Sequence, residues 1–224
     1  RAADELVQVA DLLGAGVAKA LLGRTVLADD LPFVTGSIGL LGTRPSYELM
    51  ENCDTLLVVG SSFPYSEWLP REGSARGVQI DLDASRIGLR YPMDVHLIGG
   101  ARETLAALVP LLERKTDDAW RRRIESSVDD WWKVVERQAY VEADPINPQR
   151  VAWELNRHLP DRAIVTADSG SSTVWWARDL RLRGDMLASV SGGLASMGSA
   201  VPYAIAAKLA HPDRPVIAFV GDGA

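Results

Sequence analysis

Residues 191–224 read SGGLASMGSAVPYAIAAKLAHPDRPVIAFVGDGA, and this stretch decides the fold class. Its first part is rich in glycine, which lets backbone approach a ligand closely. Residues 201–209 have a pattern typical of a helix, and the apolar run PVIAFV at 215–220 indicates a buried strand. The strand delivers Gly-Asp-Gly at its carboxyl end, which is the edge where open parallel α/β sheets bind ligands.

Asp222 carries the chemistry of this stretch. A carboxylate is a hard oxygen ligand suited to Mg²⁺ or Ca²⁺, and magnesium sites commonly combine one or two carboxylates with phosphates. Gly223 and Ala224 would offer backbone N–H groups to an anion. Asp-Gly after a strand is more often only a turn, so the tripeptide by itself leaves that alternative open.

Strands alternate with helices through the rest of the chain. The patterns predict strands at 55–60, 77–83, 95–98 and 163–168, and helices at 6–13, from Ser46 as N-cap, at 101–113, 149–159 and 172–181. This alternation predicts an α/β fold with two parallel-sheet, three-layer domains. We expect the domains at residues 1–115 and 149–224, joined by a helical, Trp-rich linker at 116–148.

Composition excludes several classes of function. The net charge of -6 argues against a nucleic-acid partner. No apolar run approaches the roughly 20 residues of a transmembrane helix, so we expect a cytoplasmic protein. Cys53 is the single cysteine, so no internal disulfide can form, and no histidine has a second ligand at metal-binding spacing.

A second anion-binding turn is predicted upstream, in TADSGSSTVWWARDL at 166–180. Gly170, Ser171 and Ser172 follow a strand and open a helix. A helix N-terminus with free N–H groups suits a phosphate group. Ordinary N-capping by serine explains the same residues equally well.

The stretch from 191 to 224 closely resembles the cofactor domain of thiamine-diphosphate enzymes of the pyruvate oxidase and acetolactate synthase group. The resemblance implies that Asp222 binds the metal, Mg²⁺, and that Met197 lies under the bent cofactor, although core packing is the alternative for Met197. It also implies further cofactor neighbours: Gly170, Ser171, Ser172, Ser196, Gly198, Gly221, Gly223 and Ala224.

The first half resembles the central domain of the same group, through TGSIGLLGTRPS (35–46), GSSFPYSEWLP (60–70) and QIDLDASRIG (79–88). In pyruvate oxidases this domain holds FAD, whereas other members bind no flavin. The resemblance implies a possible flavoprotein whose FAD would contact Thr35, Gly36, Gly60, Ser61, Ser62, Phe63, Pro64 and Asp81. Asp83 and Arg86 have a simpler explanation, which is to cap the turn after the strand.

The function implied by this resemblance is thiamine-diphosphate- and Mg²⁺-dependent decarboxylation of a 2-oxo acid by an oxidoreductase like pyruvate oxidase. An acetolactate-synthase-like carboligase, a transferase, is the alternative, and a non-catalytic nucleotide-binding module is a third hypothesis. In the group, active sites form between subunits of a homodimer or homotetramer, and a catalytic glutamate comes from an N-terminal domain. We therefore expect this chain to be an inactive fragment and nominate no catalytic acid or base in it.

Overall fold

The computed structural model describes residues 2–223, with parallel strands throughout. The elements of the first half are α1 (Ala3–Leu13), β1 (Val17–Lys19), β2 (Val34–Ser37), α2 (Arg44–Asn52), β3 (Thr55–Val59), β4 (Arg76–Asp81), β5 (Val95–Ile98) and α3 (Ala101–Leu108). The others are α4 (Ala119–Ala139), α5 (Pro148–His158), β6 (Ile164–Ala167), α6 (Ser171–Arg178), β7 (Leu187–Val190), α7 (Ala200–Ala210) and β8 (Val216–Phe219).

The strands form three parallel ladders, with orders β1-β2, β3-β4-β5 and β7-β6-β8. This confirms the α/β class with parallel sheets. The sequence patterns missed β1, β2 and β7, which are only three or four residues long. They read VAK, VTGS and LASV and lack the apolar run that marked the other short strands, so only pairing with partners distant in sequence defines them.

Two of the predicted helix boundaries were wrong. The second helix is capped by Thr43, whose Oγ1 accepts a hydrogen bond from Ser46 N at 3.3 Å, so Ser46 is not the N-cap but lies buried inside the helix. The helix predicted at 101–113 ends at Leu108, and a 3-10 turn at Val109–Leu111 follows. Pro110 accounts for this ending, because proline has no backbone N–H to donate to the carbonyl of residue 106 and its ring clashes with that carbonyl, although Val109 before it stays in the α conformation.

Helix α4 is more than a connector between the halves. Its buried side chains recur along one stripe, Ile124, Val128, Trp131, Val135 and Ala139. This stripe packs α4 against both α2 and α5, which belong to different halves of the chain. The polar residues that made the segment look like a linker lie on the opposite, solvated face.

A buried ionic cluster of Lys19, Arg24 and Asp29 joins the halves. Asp29 lies 2.7 Å from Lys19 Nζ and 2.8 Å from Arg24 Nη2, and it accepts a hydrogen bond from Leu182 N at 2.8 Å. Arg24 also donates to the carbonyls of Trp176 and Leu180, close to the C-terminus of α6. The first half therefore fixes the position of α6.

The sheet of the second half is built around β6, which is fully buried. Helix α6 packs on β6 and β8, and α7 packs on all three strands of this sheet. Only Ala200 of α7 is buried within the described chain, although the helix is apolar on most of its surface. No helix within residues 2–223 is long and apolar enough to cross a bilayer.

Candidate cofactor site

Three loops leave the carboxyl edge of the β7-β6-β8 sheet side by side. Ala167, at the end of β6, is in register with Val190 at the end of β7 and with Phe219 at the end of β8. The loops that follow these residues contain the residues that the sequence predicted to contact thiamine diphosphate. The fold therefore brings these predicted residues to one edge of one sheet.

The turn after β6 has the backbone expected of an anion site. Gly170 adopts φ 104° and ψ -154°, a conformation that is essentially restricted to glycine. Gly170 and Ser171 are exposed, and the first N–H groups of α6 have no intrahelical partner. The Ser172 hydroxyl is buried and donates to Asp168 O at 3.1 Å, so this residue can offer an anion its backbone N–H but not its hydroxyl.

Local hydrogen bonds fix the conformation of the loop after β7. Ser191 accepts hydrogen bonds from Ala195 N at its carbonyl and from Ser196 N at its hydroxyl, at 2.9 and 3.1 Å. Met197 is 75% exposed, so it is not a core residue among the residues described. Its side chain is therefore available to support an apolar ligand ring.

Gly221, Asp222 and Gly223 are exposed in a turn after β8, and Ala224 lies outside the described residues. Within residues 2–223, no group of three or more His, Cys, Asp or Glu side chains is placed to hold a metal. A Mg²⁺ ion keeps several waters and takes one or two protein carboxylates together with phosphates. A single carboxylate beside two anion-binding loops therefore fits magnesium held partly by a diphosphate.

The sequence does not single out Asp168, because an acidic residue after a strand is typical of any turn. In the structure it is 2% exposed and hydrogen-bonds to the first turn of α6, to Ser199 before α7 and to the last residue of β8. The available signal was its position, since it directly follows the buried strand and precedes the Ser-Gly turn. Its side chain faces the protein interior rather than the open edge.

The residues predicted to bind FAD divide into two sets. The Thr35 hydroxyl is buried and lies 2.8 Å from Ser46 Oγ, and a Cβ on Gly36 would lie 2.6 Å from Thr43 Cγ2. These two residues are explained by packing of β2 against α2. Asp83 does cap the turn after β4, as the simpler explanation for it supposed, because its Oδ1 accepts from Ser85 N at 3.0 Å.

The second set lies at the carboxyl edge of the β3-β4-β5 sheet. Gly60, Ser62 and Pro64 are exposed, while Ser61 Oγ accepts from Phe63 N at 3.3 Å. The Phe63 ring lies against Gly39, so the loops after β2 and β3 meet. Asp81, at the end of β4, accepts a hydrogen bond from Asp83 N at 3.0 Å. This set fits a nucleotide at the sheet edge, because exposed backbone and a strand-end carboxylate lie together.

Two family models match the chain. Residues 1–108 match the central domain of thiamine pyrophosphate enzymes, and residues 168–224 match their C-terminal TPP binding domain. The boundary of the second match coincides with Asp168, where the three-loop edge begins.

Relatives match over the whole chain. The Bacillus subtilis protein YdaP, whose name describes it as thiamine pyrophosphate-containing, is 36% identical over 100% of this chain and 38% of its own length. A Methanocaldococcus jannaschii protein named as a probable acetolactate synthase large subunit is 30% identical over 99% of this chain and 39% of its own. The pyruvate oxidase of Lactiplantibacillus plantarum is 27% identical, over 100% and 37%. The chain thus spans less than two fifths of the length of these three relatives.

Proposed function

The chain belongs to the thiamine pyrophosphate enzymes, and we propose on this premise that the protein uses thiamine diphosphate and Mg²⁺ to decarboxylate a 2-oxo acid such as pyruvate. The observation that supports the proposal is that the turn at Gly170, the loop with Met197 and the turn with Asp222 lie at one sheet edge. The relative named as a pyruvate oxidase favours oxidative decarboxylation.

Each part of the edge has a role in this proposal. When bound, the cofactor supplies a nucleophilic carbon and an electron sink for the 2-oxo acid. Asp222 would hold the metal, and the N–H groups that open α6 would hold the diphosphate. The exposed side chain of Met197 would support the rings, and Ser196 and Gly198 would flank them. The resemblance implies a catalytic glutamate from another domain, so the proposal assigns no general acid or base to this chain.

The remaining proposals concern the whole protein. We propose a homodimer or homotetramer in the cytoplasm, with FAD at the edge formed by residues 60–64 and Asp81. The 224 residues by themselves should be inactive, because the relatives use a much longer polypeptide. A measurable decarboxylase rate on the isolated 224 residues would contradict this last point.

Carboligation is the second candidate reaction, and the relative named as an acetolactate synthase large subunit favours it. Product analysis after incubation with pyruvate separates the two reactions. Acetate or acetyl phosphate supports the oxidase, whereas acetolactate supports the carboligase.

The binding test uses the complete polypeptide that the gene encodes and measures Mg²⁺-dependent binding of thiamine diphosphate by calorimetry. Asp222→Asn removes a metal ligand, and since even outer-shell substitutions at metal sites weaken affinity about 10–100-fold, we expect a loss of at least about 100-fold. Asp213→Asn is the matched control, because Asp213 is an exposed carboxylate in the turn before β8. Equal affinity of both variants for the cofactor would refute the assignment of Asp222.

A further inference from the structure

Asp168 hydrogen-bonds to three parts of the cofactor edge: the first turn of α6, Ser199 at the start of α7, and Phe219 at the end of β8. We propose that Asp168 is a positioning residue, which holds the diphosphate turn, the Met197 loop and the strand before Asp222 in register for the cofactor. This inference rests on the proposed function, because it concerns the same edge. It adds a role for a buried carboxylate.

The carboxylate controls the loop after β7. Asp168 Oδ1 accepts a hydrogen bond from Ser199 N at 3.0 Å, and Ser199 is the residue from which α7 begins. Ser199 makes no side-chain cap of its own, and the carboxylate of Asp168 accepts from the N–H of this N-cap residue, which is the bond that the glutamate of a capping box makes. A carboxylate at a helix N-terminus is favoured by the helix dipole and forms a charge-assisted hydrogen bond. Met197 lies two residues before this anchor, so the bond fixes where the loop ends.

The backbone of Asp168 controls the other two loops. Its carbonyl accepts hydrogen bonds from the hydroxyls of Ser172 and Thr173, which hold the first turn of α6 against the end of β6. Its N–H donates to Phe219 O at 2.9 Å, at the end of β8 and three residues before Asp222. These bonds therefore couple the first turn of α6 and the end of the Met197 loop to the end of β8, the strand that leads to Asp222.

Burial makes the carboxylate sensitive to substitution. Asp168 is 2% exposed, and a buried donor left without an acceptor loses hydrogen bonding that water cannot replace. Asp168→Ala leaves the Ser199 N–H without its partner. Asp168→Asn keeps an acceptor oxygen of the same reach but removes the charge, so it should restore part of the function.

The first measurement needs no cofactor. Hydrogen exchange of the amides of residues 191–203 is followed by mass spectrometry in the complete polypeptide, with Asp94→Asn as the matched control. Asp94 also accepts a hydrogen bond from a backbone amide, Gly77 N at 2.7 Å, but it lies in the other half of the chain. We expect faster exchange over 191–203 in Asp168→Ala, intermediate exchange in Asp168→Asn and wild-type exchange in Asp94→Asn.

The second measurement is the dissociation constant of thiamine diphosphate with Mg²⁺, together with kcat at saturating cofactor. By analogy with groups that orient metal ligands, we expect Asp168→Ala to weaken binding about 10–100-fold and Asp168→Asn to weaken it less. The kcat of Asp168→Asn at saturation should stay near wild type, since Asp168 touches no reacting atom. Wild-type exchange and affinity in Asp168→Ala would overturn the inference.

The two proposals fail in different ways. If the wild-type protein does not bind thiamine diphosphate, the proposed function is wrong, while the exchange data still decide whether Asp168 organises the loops. If Asp168→Ala does not fold, the Asp168→Asn variant decides. Weaker affinity for the cofactor together with faster exchange over 191–203 supports the positioning role. Wild-type affinity and wild-type exchange refute it.

Discussion

Arg24→Met should destabilise the chain strongly, because Arg24 is the buried cation that connects the first half to α6. Arg24 is 3% exposed and lies over the Trp176 ring, with its guanidinium carbon 4.9 Å from the ring centroid. It donates to Asp29 at 2.8 Å, to Leu180 O at 2.7 Å and to Trp176 O. Methionine keeps most of the apolar volume and removes every one of these bonds.

The loss of stability in Arg24→Met can be worked out from the buried Asp29 carboxylate, which loses one of its two cationic partners. Burial favours the neutral form of Asp29, but the charges of Arg24 and Lys19 outweigh it and hold the pKa of Asp29 below its usual value. Removing one partner of such a buried pair costs about 3–5 kcal/mol. In a chain of this size each kcal/mol lowers Tm by roughly 2–4 °C, so we expect a decrease of about 6–20 °C.

The assay is thermal unfolding of the 224-residue chain, followed by tryptophan fluorescence. Arg122→Met is the control, because Arg122 pairs with Asp118 at 2.5 Å with both side chains more than half exposed. An exposed pair contributes little, so the control should shift Tm by no more than about 2 °C. If Arg24→Met behaves like the control, the claim that this cluster joins the halves is wrong.

Three further predictions concern single sites. Burial raises the pKa of Asp179 to about 6 despite the nearby Arg178 charge. The native state therefore binds more protons than the unfolded state between about pH 4 and 6, and stability falls as the pH rises through that window. Asp179→Asn should abolish this dependence of Tm on pH and stabilise the chain at pH 7.5 by up to about 3 kcal/mol. Gly170→Ala and Gly73→Ala both place a side chain at positive φ in open space, at a cost of order 1–3 kcal/mol, but in calorimetry only Gly170→Ala should weaken thiamine diphosphate binding. Thr43→Ala removes the cap of α2 and should lower the free energy of urea unfolding by about 1–2 kcal/mol, and an unchanged midpoint would contradict the cap.

The sequence predicts the parallel α/β class because local patterns record burial. Ile164–Ala167 lies where the apolar run placed it, since this central strand of a parallel sheet is buried on both faces. Thr55–Val59 and Val95–Ile98 also follow apolar runs, although both are edge strands and Val95–Ile98 is largely exposed. Strand β2 reads VTGS and lacks such a run, so only its pairing with β1 defines it. Pairing between residues 17 and 34 depends on the fold around it and leaves no local signal.

The distinction between local sequence patterns and long-range contacts also applies to the candidate site. The turns at Gly170 and Asp222 could be predicted because each directly follows a strand, and parallel strands end at a common edge. The part played by Asp168 could not, because its partner Ser199 is 31 residues away and the bond uses a backbone N–H that any residue supplies. The Arg24 bonds to residues 176 and 180 span more than 150 residues and left no pattern either.

The first half takes part in shaping an edge to which it contributes none of the proposed thiamine-diphosphate contacts. Arg24 holds the last turn of α6, whose first turn is the candidate diphosphate site, and α6 is only eight residues long. On the other side, a Cβ added to Gly192 would lie 2.6 Å from Leu22 Cδ2, so the Met197 loop lies directly against the same 3-10 turn, Leu21–Gly23. One cofactor loop and the C-terminal end of the helix that follows another therefore contact residues 22–24. A change there should move the Met197 loop and α6 together, so we expect substitutions at residues 22–24 to weaken thiamine diphosphate binding in the proposed site.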